Sequence, residues 1–465
     1  MQAAYDWLQK NHEKIIRNLA DLVAIPSIST DGEHAHEIER TAKLTCDQMR
    51  EAGLTNVEVL RVGSSLPYAY GEWLGAPGKP TVFLYAHHDV QPVNYREQWE
   101  TDPWHLTRKD GRLYARGAAD DKGAVAAQLG AIAAYMQTNG SLPVNIKMLV
   151  EGEEEVGSKN LMQFFERHKS KLQSDVIIVC DTENIEVGLP CITYSLRGIV
   201  QAHVQVKSAE IPVHSGMAGG ALPDAAIALN VLLSRLFWDN APYNIPGMYD
   251  QVRQCTEKEK AAFRKLPGDE NKWRKDCGVL PQVRFAMEKG MTPYEQTWRR
   301  PAVTIIAQEA SNVKRASNQV LPTAEAIVSC RIVPDQEPEK VFKSLEEVLT
   351  KDAPWGVQVT VTNTGMVGWW MTDPNGPAFE AALGALRKGF GKDPVAIGSG
   401  GSIGFVGPLA ELFGGAPALL LGIEDPASNA HAPNESLHEG DFKKLMISLV
   451  DLFDNLGKLP GGKVK

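Results

Sequence analysis

The alternation of hydrophobic and polar positions predicts an α/β chain whose apolar strands end in clusters of reactive side chains. Ile15, Ile16, Leu19, Leu22 and Val23 recur at helical spacing, and Pro26 stops the run, so the chain opens with an amphipathic helix. Residues 40–53 read as a second helix. Four short apolar runs follow. Residues 82–85 lead into His87-His88-Asp89, and residues 146–150 into Glu151-Gly152-Glu153-Glu154-Glu155. Residues 176–179 lead into Asp181 and Glu183, and residues 418–421 into Glu424, Asp425 and then His431. Open α/β sheets build their sites at the carboxyl ends of strands, so these clusters can converge although they are distant in sequence. An Ala-rich helix over 123–136 separates the first two runs.

The middle of the chain has another pattern. Gly198–Lys207 alternates cleanly, with Val200, Ala202, Val204 and Val206 on one face and Gln201, His203, Gln205 and Lys207 on the other. Residues 224–238 form a helix opened by Pro223. Residues 239–300 are polar, rich in Trp and Pro, and give no clear assignment. Strand-like 302–306 and 324–333, helix-like 338–351 and strand-like 357–364 complete a βαββαβ order, the ferredoxin-like arrangement. A complete unit set inside another fold predicts an inserted domain over 198–370, with 1–197 and 371–465 forming one discontinuous domain. A helix over Pro377–Phe390 resumes the first domain.

Composition narrows the class. A chain of 465 residues with 43% hydrophobic and 23% charged positions is ordinary for a globular protein and long enough for two domains. The net charge of −9 argues against nucleic acid or an anionic membrane surface as the main partner. Six scattered cysteines without a CxxC pair suggest reduced thiols, and residues 1–14 lack the apolar stretch of a signal peptide. No apolar run reaches membrane-spanning length. The expectation is a cytoplasmic protein.

The polar clusters suggest metal chemistry. His87 has Asp89 two residues on, on the same side of an extended chain, where a carboxylate can hold the ring of a ligating histidine. His88 points the other way and reads as structural. The segment Arg116-Gly117-Ala118-Ala119-Asp120-Asp121-Lys122-Gly123 precedes a helix and is either a capping turn or a loop aiming a carboxylate into a cleft. Four glutamates within 151–155 repel one another unless cations compensate, and alternation lets only two or three face one site. Alone, each cluster has a bland reading as a strand end, a cap or a solvated charge run. Together, two histidines and several acids at strand ends fit a two-metal site with a bridging carboxylate.

These segments resemble the M20 metallopeptidases, and most closely the dipeptidase and carnosinase-like branch. The resemblance rests on His87-His88-Asp89-Val90-Gln91-Pro92, residues 116–123, residues 151–158, Val213-His214-Ser215-Gly216 and residues 431–435, in the family's order. It implies a zinc-peptidase-like α/β catalytic domain with an inserted ferredoxin-like lid and dimerisation domain. It further implies two divalent ions, zinc first and manganese or cobalt as alternatives. His87, Asp120 and Asp181 would hold one ion; Asp120, Glu155 and His431 the other, with a cis bond between Asp120 and Asp121. Glu154 would be the general base, Asp89 would clamp His87, and His214 would donate to the oxyanion of the neighbouring subunit in a homodimer formed through the lid. Arg331 would bind the substrate carboxylate, and Gly400, Gly401 and Ser402 would shape the substrate floor.

The departures fall on substrate positions. Pro212 replaces an acid before the His-Ser-Gly segment, Gly398 and Ser399 stand where an Arg and an acid are common, and Val367 replaces a His. The expectation is therefore a cytosolic di-zinc hydrolase of dipeptides or short peptides near a free carboxylate, without carnosine implied as the substrate. The alternatives are an N-acyl-amino-acid deacylase or carboxypeptidase of the same superfamily, or a catalytically dead binding protein. The last is disfavoured because Glu154 and all five ligand positions are present.

Overall fold

The computed structural model describes residues 1–237 and 243–459. The chain forms two compact units, one of 1–194, 372–397 and 405 onward, the other of Ser195–Met371 with Gly398–Gly404. The first unit begins with α1 (Gln2–Val23), α2 (Ala35–Ala52), β1 (Thr55–Leu60), β2 (Tyr68–Trp73), β3 (Thr81–His87), α3 (Lys122–Asn139), β4 (Asn145–Glu151) and β5 (Val176–Glu183). Strand β6 (Cys191–Leu196) carries the chain into the second unit. There follow β7 (Gly198–Lys207), α4 (Ala225–Ser234), β8 (Ala302–Glu309), β9 (Thr323–Ile332), α5 (Pro338–Thr350) and β10 (Gln358–Val367). The first unit resumes with α6 (Pro377–Phe390), β11 (Ala418–Glu424) and α7 (Glu439–Gly457).

In the first unit the strands run β1-β2-β4-β3-β5-β11-β6. The central four, β4, β3, β5 and β11, are mutually parallel, and all four end on residues that the sequence pattern singles out. Helix α3 is buried over almost its whole length. Ala124, Ala126, Ala127, Gly130, Ala131 and Ala134 keep it thin enough to lie beneath α1 and α7. Its first residue, Lys122, is fully buried and donates to the carbonyls of Leu22 and Ile25, satisfying the open C-terminal end of α1. Gly53, in the left-handed region, ends α2.

The second unit has a four-stranded antiparallel sheet in the order β8-β9-β7-β10. Val200, Ala202, Val204 and Val206 of β7 pack with Ala228, Leu229 and Leu232 of α4 and Val341, Leu345 and Leu349 of α5. The helix expected over 224–238 is capped by Asp224, which accepts from the amides of Ala226 and Ile227, and ends at Ser234; residue 238 lies outside the described residues. The unassigned polar stretch contains three short helices, Glu257–Phe263, Glu270–Asp276 and Pro293–Arg299. The first and third carry capping boxes, Thr256 with Glu259 and Thr292 with Glu295. No helix among the described residues is long and apolar enough to cross a membrane.

Candidate metal centre

Strand β3 delivers His87 to its C-terminal end, where the backbone N–H of His87 is fixed by Asp121 Oδ2 at 3.2 Å and that of His88 by the Glu151 carbonyl at 2.8 Å. His88 is turned away, fully buried, with Nε2 3.1 Å from the Pro67 carbonyl. A side chain at Gly152 would meet that carbonyl at 2.5 Å and the His88 ring at 2.8 Å, which explains the glycine inside the glutamate run. Glu151 and Glu153 are used internally. Tyr85 donates to Glu151 at 2.6 Å and Tyr68 to Glu153 at 2.6 Å. The 3-10 turn Glu154–Val156 then presents the remaining two glutamates.

Two donor groups result. His87, Asp120 and Asp181 bring one ligand-type atom each to within 4.8 Å of one another, and so do Asp120, Glu155 and His431. Asp120 belongs to both. Its Oδ1 lies 3.0 Å from His87 Nε2 and its Oδ2 2.9 Å from His431 Nε2, while Glu155 Oε2 lies 3.2 Å from the same His431 nitrogen. Asp181 Oδ1 stands 3.9 Å from His87 Nε2. The Asp120–Asp121 peptide bond is cis.

Asp89 acts through more of its atoms than its spacing suggests. The His87 Nδ1 hydrogen bond goes to the Asp89 backbone carbonyl at 3.1 Å, with the carboxylate Oδ1 at 3.5 Å. That carboxylate accepts from the Glu154 and Glu155 amides at 3.2 and 3.1 Å. One buried acid thus orients the histidine and anchors the glutamate turn.

Charge is unbalanced here. Burial disfavours the His87 cation, yet Asp120, Asp89 and Asp181 outweigh it and hold the ring well above the usual imidazole range. Asp120 and Glu155 push His431 up to about 11. Burial, reinforced by neighbouring acids, raises Asp181 well above the carboxylate range and lifts Glu154 to about 7. Asp120 is held well below its ordinary value by the two histidines despite its burial. Four acids and two imidazoles with so little compensating charge suit divalent cations. The buried His87 Nε2 has no well-directed hydrogen-bond partner, as expected of a lone pair aimed at a metal.

Two residues inside the matching segments support the site in ways their local sequence does not reveal. Glu435 is fully buried and accepts from Arg116 Nη1 at 2.6 Å and from the amides of Gly117, Ala119 and Asp120 at 3.1, 3.0 and 3.1 Å. It holds the loop that carries the shared Asp120. Gln91 donates to Glu155 Oε2 at 2.8 Å. A buried arginine in the 116–123 motif signals that an acid must stand opposite, and Glu435 in the 431–435 motif answers it. The loop carrying His431 is braced by Asp425, whose carboxylate pairs with Arg112 at 3.1 and 2.9 Å, and His431 itself adopts φ 63° with its side chain 57% exposed.

The remaining candidates lie in the second unit. His214 is exposed on a two-residue strand pairing with Gln319–Val320, and its Nδ1 accepts from the Gly216 amide at 3.1 Å. Arg331 on β9 donates to Ser402 Oγ at 2.9 Å, and the Gly401 amide donates to Ser399 Oγ at 3.1 Å. Gly400 receives a hydrogen bond on its carbonyl from Arg197 at 3.1 Å.

Comparison with known proteins agrees with this architecture. The model of peptidase family M20/M25/M40 matches residues 83–455. A cysteinylglycine-S-conjugate dipeptidase of Corynebacterium striatum is 34% identical over 97% of both chains. The crystal structure of human carnosine dipeptidase 1 superposes with a TM-score of 0.86 at 27% identity, over 98% of this chain and 99% of that one. An M20 metallo-carboxypeptidase of Sulfolobus solfataricus gives 0.84 at 28% identity, over 96% and 99%. The chain is a member of peptidase family M20/M25/M40.

Proposed function

We propose that this protein is a dinuclear metallodipeptidase that hydrolyses the amide bond of a dipeptide or short peptide next to its free C-terminal carboxylate. The observation that carries the reading is the pair of donor groups sharing Asp120, with Glu154 on the same turn as the ligand Glu155. The activities named for the Corynebacterium striatum and human relatives point the same way.

Two divalent cations, zinc by the imidazole and carboxylate donors, would be held by His87, Asp120 and Asp181 and by Asp120, Glu155 and His431, supplying Lewis acidity and easier ionisation of water. Glu154, lifted to about 7, is poised to accept a proton from the attacking water and return it to the leaving amine. Asp89 keeps Glu154 in place through the backbone. With Nδ1 of His214 accepting from Gly216, the neutral ring carries its proton on Nε2, a donor suited to a carbonyl oxygen gaining charge. We assign that donor to the neighbouring subunit of a two-fold homodimer formed through the second unit. Arg331 takes the substrate carboxylate beside Ser402, with Gly400 and Gly401 forming the floor.

The test is turnover by zinc-, manganese- or cobalt-reconstituted protein on dipeptides, N-acetyl amino acids and tripeptides. Dipeptides should dominate. Dominant turnover of N-acetyl amino acids would overturn the reading in favour of a deacylase, and dominant release of C-terminal residues from longer chains in favour of the carboxypeptidase that the Sulfolobus likeness suggests.

A further inference from the structure

The second unit holds two arginines that meet at one turn. Arg331 sits on β9 opposite Ile199 of β7, and Arg197 stands two residues before Ile199. Arg197 is the single residue between β6 and β7, just before Gly198, which pairs with Ile332 next to Arg331, and its guanidinium lies close enough to feel the charge of Arg331. Both reach the segment Gly398–Gly404. Arg197 donates from Nε to the Gly400 carbonyl at 3.1 Å and from Nη1 to the Arg300 carbonyl at 3.4 Å, and Arg331 donates to Ser402 Oγ at 2.9 Å. A Cβ at Gly400 would meet Arg197 Nη2 at 2.9 Å, so the missing side chain is what lets the guanidinium lie against the turn.

Among the described residues of its unit neither arginine has a counter-charge. Arg253, Arg299 and Arg300 pair with Asp335, Glu259 and Glu288. Among the described residues of that unit no carboxylate lies within ion-pair distance of Arg197 or Arg331, and Gly398–Gly404 contains no charged residue. Burial pushes Arg331 down, and burial with the charge of Arg331 pushes Arg197 down to about 10. Their hydrogen bonds to described residues use one donor of Arg331 and two of Arg197, all on uncharged oxygens, out of the five that each guanidinium owns. Two partly buried like charges without an acid are unfavourable until an anion arrives.

We propose that Arg197 and Arg331 together form the carboxylate site of this enzyme, with Arg197 as a second guanidinium on the free α-carboxylate of the peptide. This rests on the dipeptidase reading and assigns a binding residue to it. A carboxylate has enough lone pairs for a bidentate grip by one guanidinium and a further bond from the other. A hydrogen bond between charged groups accounts for about 10–100-fold in affinity.

The experiment is calorimetric titration of the zinc-loaded Glu154→Gln protein with alanylglycine and with alanylglycinamide. The parent should bind the free acid more tightly. Arg197→Met should weaken alanylglycine about 10–100-fold and move the amide by less than about threefold. Arg197→Lys should recover part of the loss, and Gly400→Ala, which crowds the guanidinium, should reproduce it in a chain that keeps Arg197. Removing both arginines should abolish the preference for the free acid. If Arg197→Met does not fold by circular dichroism, the Arg197→Lys and Gly400→Ala results decide. Equal loss on both ligands would make Arg197 a brace of the turn and overturn the proposal, as would no loss on either. Wild-type protein that hydrolyses dipeptides, with a Glu154→Gln parent that prefers the free acid and variants that keep that preference, refutes this proposal alone. Wild-type protein that hydrolyses no dipeptide, with a Glu154→Gln parent that binds neither ligand, refutes the function and this site with it.

Discussion

Replacing Glu435 by Gln should damage stability and metal binding together, because one carboxylate supports the loop that carries Asp120. Its two oxygens accept four hydrogen bonds, one from Arg116 Nη1 and three from the amides of Gly117, Ala119 and Asp120. Glutamine keeps one oxygen. In either orientation its NH2 group faces two N–H donors, so two bonds are lost. Arg116, itself only 1% exposed, is also left without its counter-charge. Removing one partner of a buried pair costs about 3–5 kcal/mol, a large part of the roughly 5–15 kcal/mol that holds a domain folded. Because Asp120 belongs to both donor groups, the affinity for both cations should fall. Urea denaturation of the metal-free protein by circular dichroism measures the first effect, and competition with a chromophoric chelator the second. The double variant Arg116→Met with Glu435→Gln should recover part of the lost stability, since no unpaired buried charge remains. Wild-type stability in the single variant would refute the view that this ion pair holds the loop.

Four further outcomes follow from the site. Glu154→Gln should keep both cations by elemental analysis and lose about 10²–10⁴-fold in turnover; retained activity would move the base elsewhere. Without cations Asp120 and Glu155 push His431 up to about 11 and the acids around His87 raise its ring as well, so cation uptake should release protons. Titration in buffers of different ionisation enthalpy should show proton release, and affinity should fall up to about tenfold per cation for each pH unit lost; uptake without proton release would count against these ligands. Arg331→Ala should mainly raise KM for free-acid peptides while sparing amidated ones, and equal losses would make the residue structural. Mixing inactive His214→Ala and Glu154→Gln chains under verified subunit exchange should restore activity in the heterodimer if His214 serves the neighbouring site; absence of recovery would place it in its own subunit or outside catalysis.

The strands that position the metal centre are legible because each is an apolar run that stops abruptly at ionisable residues. The runs at 82–85, 146–150, 176–179 and 418–421 become the four parallel central strands. Alternation likewise makes β7 readable, since one face packs on two helices and the other stays polar. The helices within 243–300 escape notice because they are only seven residues each, too short for a periodic stripe, although Thr256-x-x-Glu259 and Thr292-x-x-Glu295 announce two of them. The contacts of Glu435 and Gln91 are illegible for another reason. Their partners, Arg116 and Glu155, are distant in sequence, and only tertiary packing creates the contact. The anchoring of the glutamate turn by the Asp89 carboxylate is also hidden, because its partners there are backbone amides, which no residue pattern reveals.

Each unit leaves charge of one sign without a full internal answer. In the first, Lys122 stands two residues from Asp120 and is the nearest lysine in sequence to the acids, yet it does not neutralise them. Its Nζ is committed to the carbonyls of Leu22 and Ile25 at 2.9 and 2.8 Å, and burial lowers it to about 7. Arg116 is already spent on Glu435. The chain's own means of offsetting Asp120, Asp181, Glu154 and Glu155 are therefore protons on His87, on His431 and on the acids themselves, and cations can replace those protons. In the second unit the surplus is positive, on Arg197 and Arg331, and no side-chain acid among the described residues of that unit answers it. A protein with only a structural task gains nothing from keeping buried charges unpaired, since apolar replacements of the same volume are often as stable or more so. Charges retained at such cost in both units argue that ligands, metal cations in one and a carboxylate in the other, complete the charge balance during function.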